Sequence, residues 1–136
     1  MKIIQVLLFT VVALSMNLSC QAQTDNSEKD SKVSKTGEVE VFYFHYTRRC
    51  VTCKAVEDVS KEAIAELYGE TISFTGYNLD EQEGKDKGQD LAISGQTLLI
   101  VSGDTKINIT NEGFMYARSN PEKFKQIISE KVNSLL

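Results

Sequence analysis

The chain has 136 residues, with 19 acidic and 15 basic side chains and a net charge of −4 at neutral pH. That length holds one domain with a modest core. An acidic balance with no basic run excludes the phosphate-contacting surface that nucleic acid demands, so no nucleic-acid partner is expected.

Lys2 is followed by "IIQVLLFTVVALSM", a mostly apolar stretch too short for an ordinary membrane-spanning helix of roughly 20 residues. A basic start, a short apolar run and small residues at its end read as a secretory signal over residues 1–22, cut after Ala22 in "CQAQ". The alternative is a signal over 1–19 with a lipidated Cys20, because "NLSC" resembles a bacterial lipoprotein box apart from Asn17 where Leu is usual. Either way the protein is expected to be exported, to the periplasm or to a membrane surface held only by a lipid on Cys20. Residues 23–36, "QTDNSEKDSKVSKT", are polar and of both charge signs, which reads as a flexible tether. Residues 37–136 are left for the folded domain.

"EVEVFYFHY" is rich in Val and aromatics and reads as a strand. The segment from Val51 carries apolar residues at Val56, Val59, Ala63, Ile64 and Leu67, which is helical spacing, and Gly69 is a natural stop. "TISFTGYNLD" returns to β character. "EQEGKDKGQD" is charged and punctuated by glycine, so a loop is expected, with room for a short helix leading into Leu91 and Ile93. "TLLIV" is a continuous apolar run, as in a strand covered on both faces. "SGDT" is a turn, and "KINIT" pairs back as a hairpin.

At "SNPEKF", Asn120 or Ser119 caps a last helix, Pro121 fits its first turn, and Glu122 stands three after Ser119 as in a capping box. Phe124, Ile127, Ile128, Val132 and Leu135 form its apolar face. "FMYAR" before it reads as core filling, with a partner groove as the other reading. The order β-α-β, connector, β-β-α implies one mixed four-stranded sheet with helices on both faces, an α/β fold in three layers.

"YTRRCVTCKAV" sets Cys50 and Cys53 at the hand-over from first strand to first helix. There the free N–H groups and the helix dipole favour a thiolate, the nucleophilic form. Cys50 would attack or be attacked, and Cys53, one turn in, would resolve the mixed disulfide. Arg48 and Arg49 are candidates to lower the Cys50 pKa, or are simply solvated loop charges. Tyr46 is a candidate cover for the pair, or a packed aromatic. Glu57, one turn after Cys53, is a candidate for proton transfer, with an exposed helix acid as the plainer reading. Two other readings of the pair remain: a merely structural disulfide, or a metal site of His45, Cys50 and Cys53, which is one ligand short of a structural zinc set. Glycines 95, 103 and 113 lack phosphate-binding spacing, and no cofactor is expected.

The strand, "CVTC", Lys54 and helix, then "YNLD" and "GQTLLIV", resemble the thioredoxin superfamily over about residues 38–136. The resemblance implies a thioredoxin-like fold, a redox-active CxxC and a protein thiol, a protein disulfide or a redox enzyme as partner. "FYFHYTRRCVTCKA" and "GFMYARSNPEKFK" are similar to exported thioredoxin-like proteins labelled as ArsF-type subunits of nitrophenyl-compound nitroreductase. The chain departs from the superfamily pattern twice. Gln96 stands where a cis-proline normally faces the cysteines, and Phe42, Tyr43 and Phe44 stand where a buried acid is usual. The alternative function is therefore a non-catalytic accessory or metal-binding subunit that keeps the fold.

Overall fold

A computed structural model describes residues 37–136. The signal segment 1–22, Cys20 and the tether 23–36 lie outside the described residues. Strand β1 (Glu40–His45) runs parallel to β2 (Ser73–Asn78), with Glu40 opposite Ser73 and His45 opposite Asn78. On its other side β1 pairs antiparallel with β3 (Thr97–Ser102), which pairs antiparallel with β4 (Thr105–Asn108). The sheet order is β2-β1-β3-β4. This is the mixed α/β sheet that the element order implies: a helical crossover makes β1 and β2 parallel, and the tight turn at Gly103 (φ 56°) makes β3 and β4 a hairpin.

Alternation along β1 and β3 sorts side chains to two faces. Val41, Tyr43, Leu98 and Ile100 join the larger core with Val56, Val59, Ala63 and Ile64 of helix α1 (Val51–Tyr68). Phe42, Phe44, Leu99 and Val101 form a smaller core on the opposite face, with Tyr77, Leu79, Leu91 and Ile93 against it. Every residue of "TLLIV" is buried, as its unbroken apolar run implies. Helix α1 stops where expected, because Gly69 takes φ 58° and its N–H closes on the Ala65 carbonyl.

The stretch expected as a loop with room for a short helix forms helix α2 (Gln82–Asp90). Its glycines are contacts rather than breaks. Gly84 and Gly88 are both buried. A Cβ on Gly84 would collide with the Asn78 carbonyl, and one on Gly88 would come within 3.2 Å of Leu79 Cδ2. The helix ends by the 6→1 and 5→2 bonds Ile93 N to Gly88 O (2.7 Å) and Ala92 N to Gln89 O (3.0 Å). This puts Ala92, at φ 59°, in a place usually given to glycine. Lys87 Nζ then lies 4.6 Å from the Phe42 ring centroid, over the smaller core.

The core-filling reading of "FMYAR" holds for Tyr116 and Ala117 and is corrected for Phe114 and Met115. Residues Thr110–Tyr116 form a short helix, α3, with Gly113 turned inward; a Cβ there would lie 3.0 Å from Val56 and 3.1 Å from Phe124. With Gly113 inward, successive steps of about 100° carry Phe114 and Met115 to the surface, and Met115 is 60% exposed. Ile109, Gly113 and Ala117 are buried in this region. In helix α4 (Pro121–Asn133) the cap is Asn120, whose Oδ1 accepts from Lys123 N at 3.1 Å. Ser119 Oγ instead donates to the Met115 carbonyl at 2.6 Å, so the capping-box reading through Ser119 and Glu122 does not hold. Phe124, Ile128 and Val132 are fully buried from its apolar face. No helix among the described residues is long and apolar enough to cross a membrane.

Candidate active site

The link from β1 to α1 is pinned from the neighbouring strand end. Leu79 N donates to the His45 carbonyl (2.7 Å), Thr47 N to Asp80 Oδ2 (2.8 Å) and Asn78 Nδ2 to Thr47 Oγ1 (3.0 Å). The bonds from Thr47, its backbone N–H foremost, hold the Asp80 carboxyl below its usual range. The link delivers Cys50 to the N-cap of α1 in extended backbone, φ −76° and ψ 166°. Its sulfur accepts from Cys53 N at 3.2 Å, the bond that a Ser or Asp cap normally makes. No acid occupies the first turn of α1 to oppose a negative charge there.

Cys50 is exposed and Cys53 is 7% exposed, and both carry free thiols. The Cys50 thiol is held below its ordinary value by Cys53, first through its side chain and then through its backbone N–H. Desolvation opposes this, and the N–H groups of Thr52 and Cys50 itself add to it.

Gln96, expected opposite the cysteines, is there. Cys53 Sγ donates to Gln96 Oε1 at 3.6 Å, and Gln96 Nε2 donates to Tyr43 Oη. Tyr43 Oη in turn donates to the Cys53 carbonyl at 2.9 Å. Burial is the main cause that pushes Tyr43 up to about 12, with the Gln96 bond opposing and the neighbouring Cys53 and Glu57 adding to it. No peptide bond among the described residues is cis. The first-strand region that lacks an acid thus supplies a phenol that meets Gln96 and the Cys53 carbonyl.

Arg49 forms an ion pair with Glu57, and both side chains are partly buried. Arg49 is therefore committed to a carboxylate one helical turn beyond Cys53, and neither arginine is among the causes that lower Cys50. Arg48 is exposed. The reading of Glu57 as a freely exposed acid is corrected by this pairing. Its Oε1 lies 3.0 Å from where a Cβ on Gly76 would stand, so a glycine on β2 makes room for it.

Tyr46 is 41% exposed. It lines a surface pocket of about 200 Å³ with Leu79, Lys85, Gln89, Ile93 and Ser94, on the α2 side. His45 Nδ1 lies 3.1 Å from the Tyr46 carbonyl, and its ring centroid is 5.8 Å from that of Tyr43. Among the described residues no three His, Cys, Asp or Glu side chains are grouped to hold a metal ion. His45 is thus not assembled with Cys50 and Cys53 as a third ligand.

Sequence reading missed two partners, Tyr43 for Cys53 and Glu57 for Arg49. Strand alternation already puts Tyr43 on the α1 face with Val41. The i, i+4 relation of Cys53 and Glu57 puts both on one side of the helix.

No family model and no curated protein matches the chain. Solved structures similar to it include Trxlp from Edwardsiella tarda, at 16% identity over 74% of this chain and 93% of that one, with a TM-score of 0.49. A malarial protein is similar at 15% identity over 68% of this chain and 94% of that one, with a TM-score of 0.45. Thioredoxin f2 of Chlamydomonas reinhardtii is similar at 19% identity over 60% of this chain and 76% of that one, with a TM-score of 0.42. The fold assignment rests on the molecule's own topology: order β2-β1-β3-β4, β1 parallel to β2, the rest antiparallel, and helices on both faces. That is a thioredoxin-like fold, with a CxxC dithiol at the head of its first helix.

Proposed function

We propose that this domain is an exported thiol–disulfide oxidoreductase or electron relay that works through Cys50 and Cys53. One observation carries the reading. The exposed Cys50 sulfur caps α1 and accepts from the Cys53 N–H, and its thiol is held below the ordinary value. A thiolate favoured at an accessible sulfur is the nucleophile that disulfide exchange needs. The buried partner one turn on is placed to complete the exchange. Because the reduced form carries the stabilised thiolate, the couple is expected to be more oxidising than one without that support.

The partner is a protein dithiol or disulfide, or a redox enzyme. The likeness of two stretches to ArsF-type nitroreductase subunits implies a redox role without choosing between enzyme and relay. Export, with cleavage after Ala22 or lipidation at Cys20, is supported by the N-terminal residues alone. The mass of the mature N-terminus distinguishes the two.

Insulin reduction driven by dithiothreitol tests the activity. Wild-type protein should accelerate it and Cys50→Ser should not; equal rates for both would instead support a non-catalytic accessory module. The reduction potential of the couple should fall between about −270 and −120 mV, whereas a merely structural bridge lies below about −300 mV.

A further inference from the structure

Gln96 makes two polar contacts at once, and their polarity is fixed by a third. Tyr43 has one proton, and it goes to the Cys53 carbonyl at 2.9 Å. The phenol oxygen can then only accept, so the N–H end of the Gln96 carboxamide must face it. The oxygen end must therefore face Cys53, where it accepts the S–H at 3.6 Å. This contact exists only while Cys53 is protonated. A thiolate has no proton to give, and a carbonyl oxygen beside it is repulsive. Turned end for end, the carboxamide presents N–H to the sulfur. Its oxygen then faces Tyr43, whose proton swings from the Cys53 carbonyl to meet it. The same three residues satisfy both protonation states of the sulfur of Cys53, a buried residue 7% exposed.

We propose that Gln96 is a positioning residue for the resolving step: its carboxamide holds the Cys53 thiol by the oxygen end, then turns over to hold the Cys53 thiolate by the amide end, with Tyr43 as its partner in both states. This rests on the oxidoreductase reading. In the first step the Cys50 thiolate attacks a substrate disulfide; a Cys50–substrate S–S bond forms, the substrate bond breaks, and one substrate thiolate leaves. In the second, Cys53 gives up its proton and its sulfur attacks Cys50 Sγ. The Cys50–Cys53 bond forms, the mixed disulfide breaks, and the second substrate sulfur leaves carrying the proton. Two cysteines are oxidised and one substrate disulfide is reduced. Gln96 acts only in the second step, while Cys50, the attacking group of the first, makes no contact with it.

Two readouts on the full chain test this. In reduced Cys50→Ser protein, the infrared S–H stretch of Cys53, assigned by its loss in Cys50→Ser/Cys53→Ser, should move to higher frequency when Gln96→Met is added. A band that does not move overturns the hold, whatever the protein's activity. The second readout is stopped-flow release of thiolate from a small chromogenic aromatic disulfide, which separates attack from resolution. Gln96→Met should leave attack unchanged to within a few-fold and slow resolution by about tenfold, as loss of a hydrogen bond to a charged group implies. Gln96→Glu should also slow resolution, because a carboxylate can accept S–H but has no N–H for the thiolate. Equal slowing of both steps by Gln96→Met, or of neither, overturns the proposal. Wild-type resolution in Gln96→Glu overturns the turnover of the carboxamide. A wild-type chain that releases no thiolate sinks the oxidoreductase reading itself, a result distinct from normal resolution in Gln96→Met.

Discussion

The two ends of helix α1 use their polar groups in opposite ways. At the tail, Lys125 of α4 reaches both Glu62 (3.0 Å) and Glu66 (2.9 Å), and Tyr68 Oη donates to Asn133 Oδ1 at 3.0 Å. Gly69 closes the last turn. These contacts tie one helix to another and leave no reactive group. At the head, the capping position is a cysteine and the first residue of the helix, Val51, is 67% exposed. Here the N–H groups of the helix and the carboxamide of Gln96 are directed at two sulfurs. The same secondary structure serves as a fastener at one end and holds a free, exposed thiol at the other. What separates the ends is the side chain at the cap and the loop that faces it across the sheet.

The largest effect expected at the head is functional. Cys50→Ser should reduce disulfide exchange to background. Its urea midpoint should not fall, because serine caps a helix at least as well as cysteine. A marked loss of stability would break the comparison, by showing the head to be a fastener as well. The largest effect toward the tail is structural. Ile64 is 2% exposed, and Ile64→Ala should cost about 2–5 kcal/mol in denaturant unfolding. The pH dependence of Cys50 alkylation should stay unchanged.

Tyr43 offers a test beneath the head. Its phenol is pushed up to about 12 by burial, against an ordinary value of about 10. Between those values the unfolded chain gives up the proton and the folded chain keeps it. Stability is thus fully present below about pH 10 and declines as pH rises toward 12, by roughly 1.4 kcal/mol per pH unit from this group. Tyr43→Phe should remove that part of the alkaline decline; an unchanged slope would show that the phenol ionises freely.

Gly69→Ala is the corresponding test of the tail. Nothing lies near an added Cβ, so only the left-handed backbone at φ 58° is strained. The cost should be about 1 kcal/mol with no change in exchange rate. The smallest effect is a shift in titration. Cys53→Ala removes the first cause that lowers Cys50, and the midpoint of Cys50 alkylation should rise toward the ordinary thiol value of about 8.5. No movement would assign the effect to backbone N–H groups alone.

Residue order was enough for the strands, the first and last helices, the mixed sheet and the position of Cys50 at a helix head. These follow from local spacing: period-2 and period-3.6 apolar patterns, a glycine stop, and a CxxC between a strand and a helix. It left residues 82–90 between a loop and a short helix, since whether Gly84 and Gly88 break a helix or let it approach Asn78 and Leu79 depends on a neighbour that spacing does not reveal. It placed Gln96 opposite the cysteines through a resemblance, without the contacts that define its role. The bonds from Gln96 to Cys53 and Tyr43 join residues 43 and 53 positions apart. The pairing of Arg49 with Glu57 depends likewise on how the link into α1 folds back along the helix. Only packing across the sheet decides which polar groups meet over such separations. Local pattern therefore set where the exposed sulfur stands, and tertiary contact set what holds its partner.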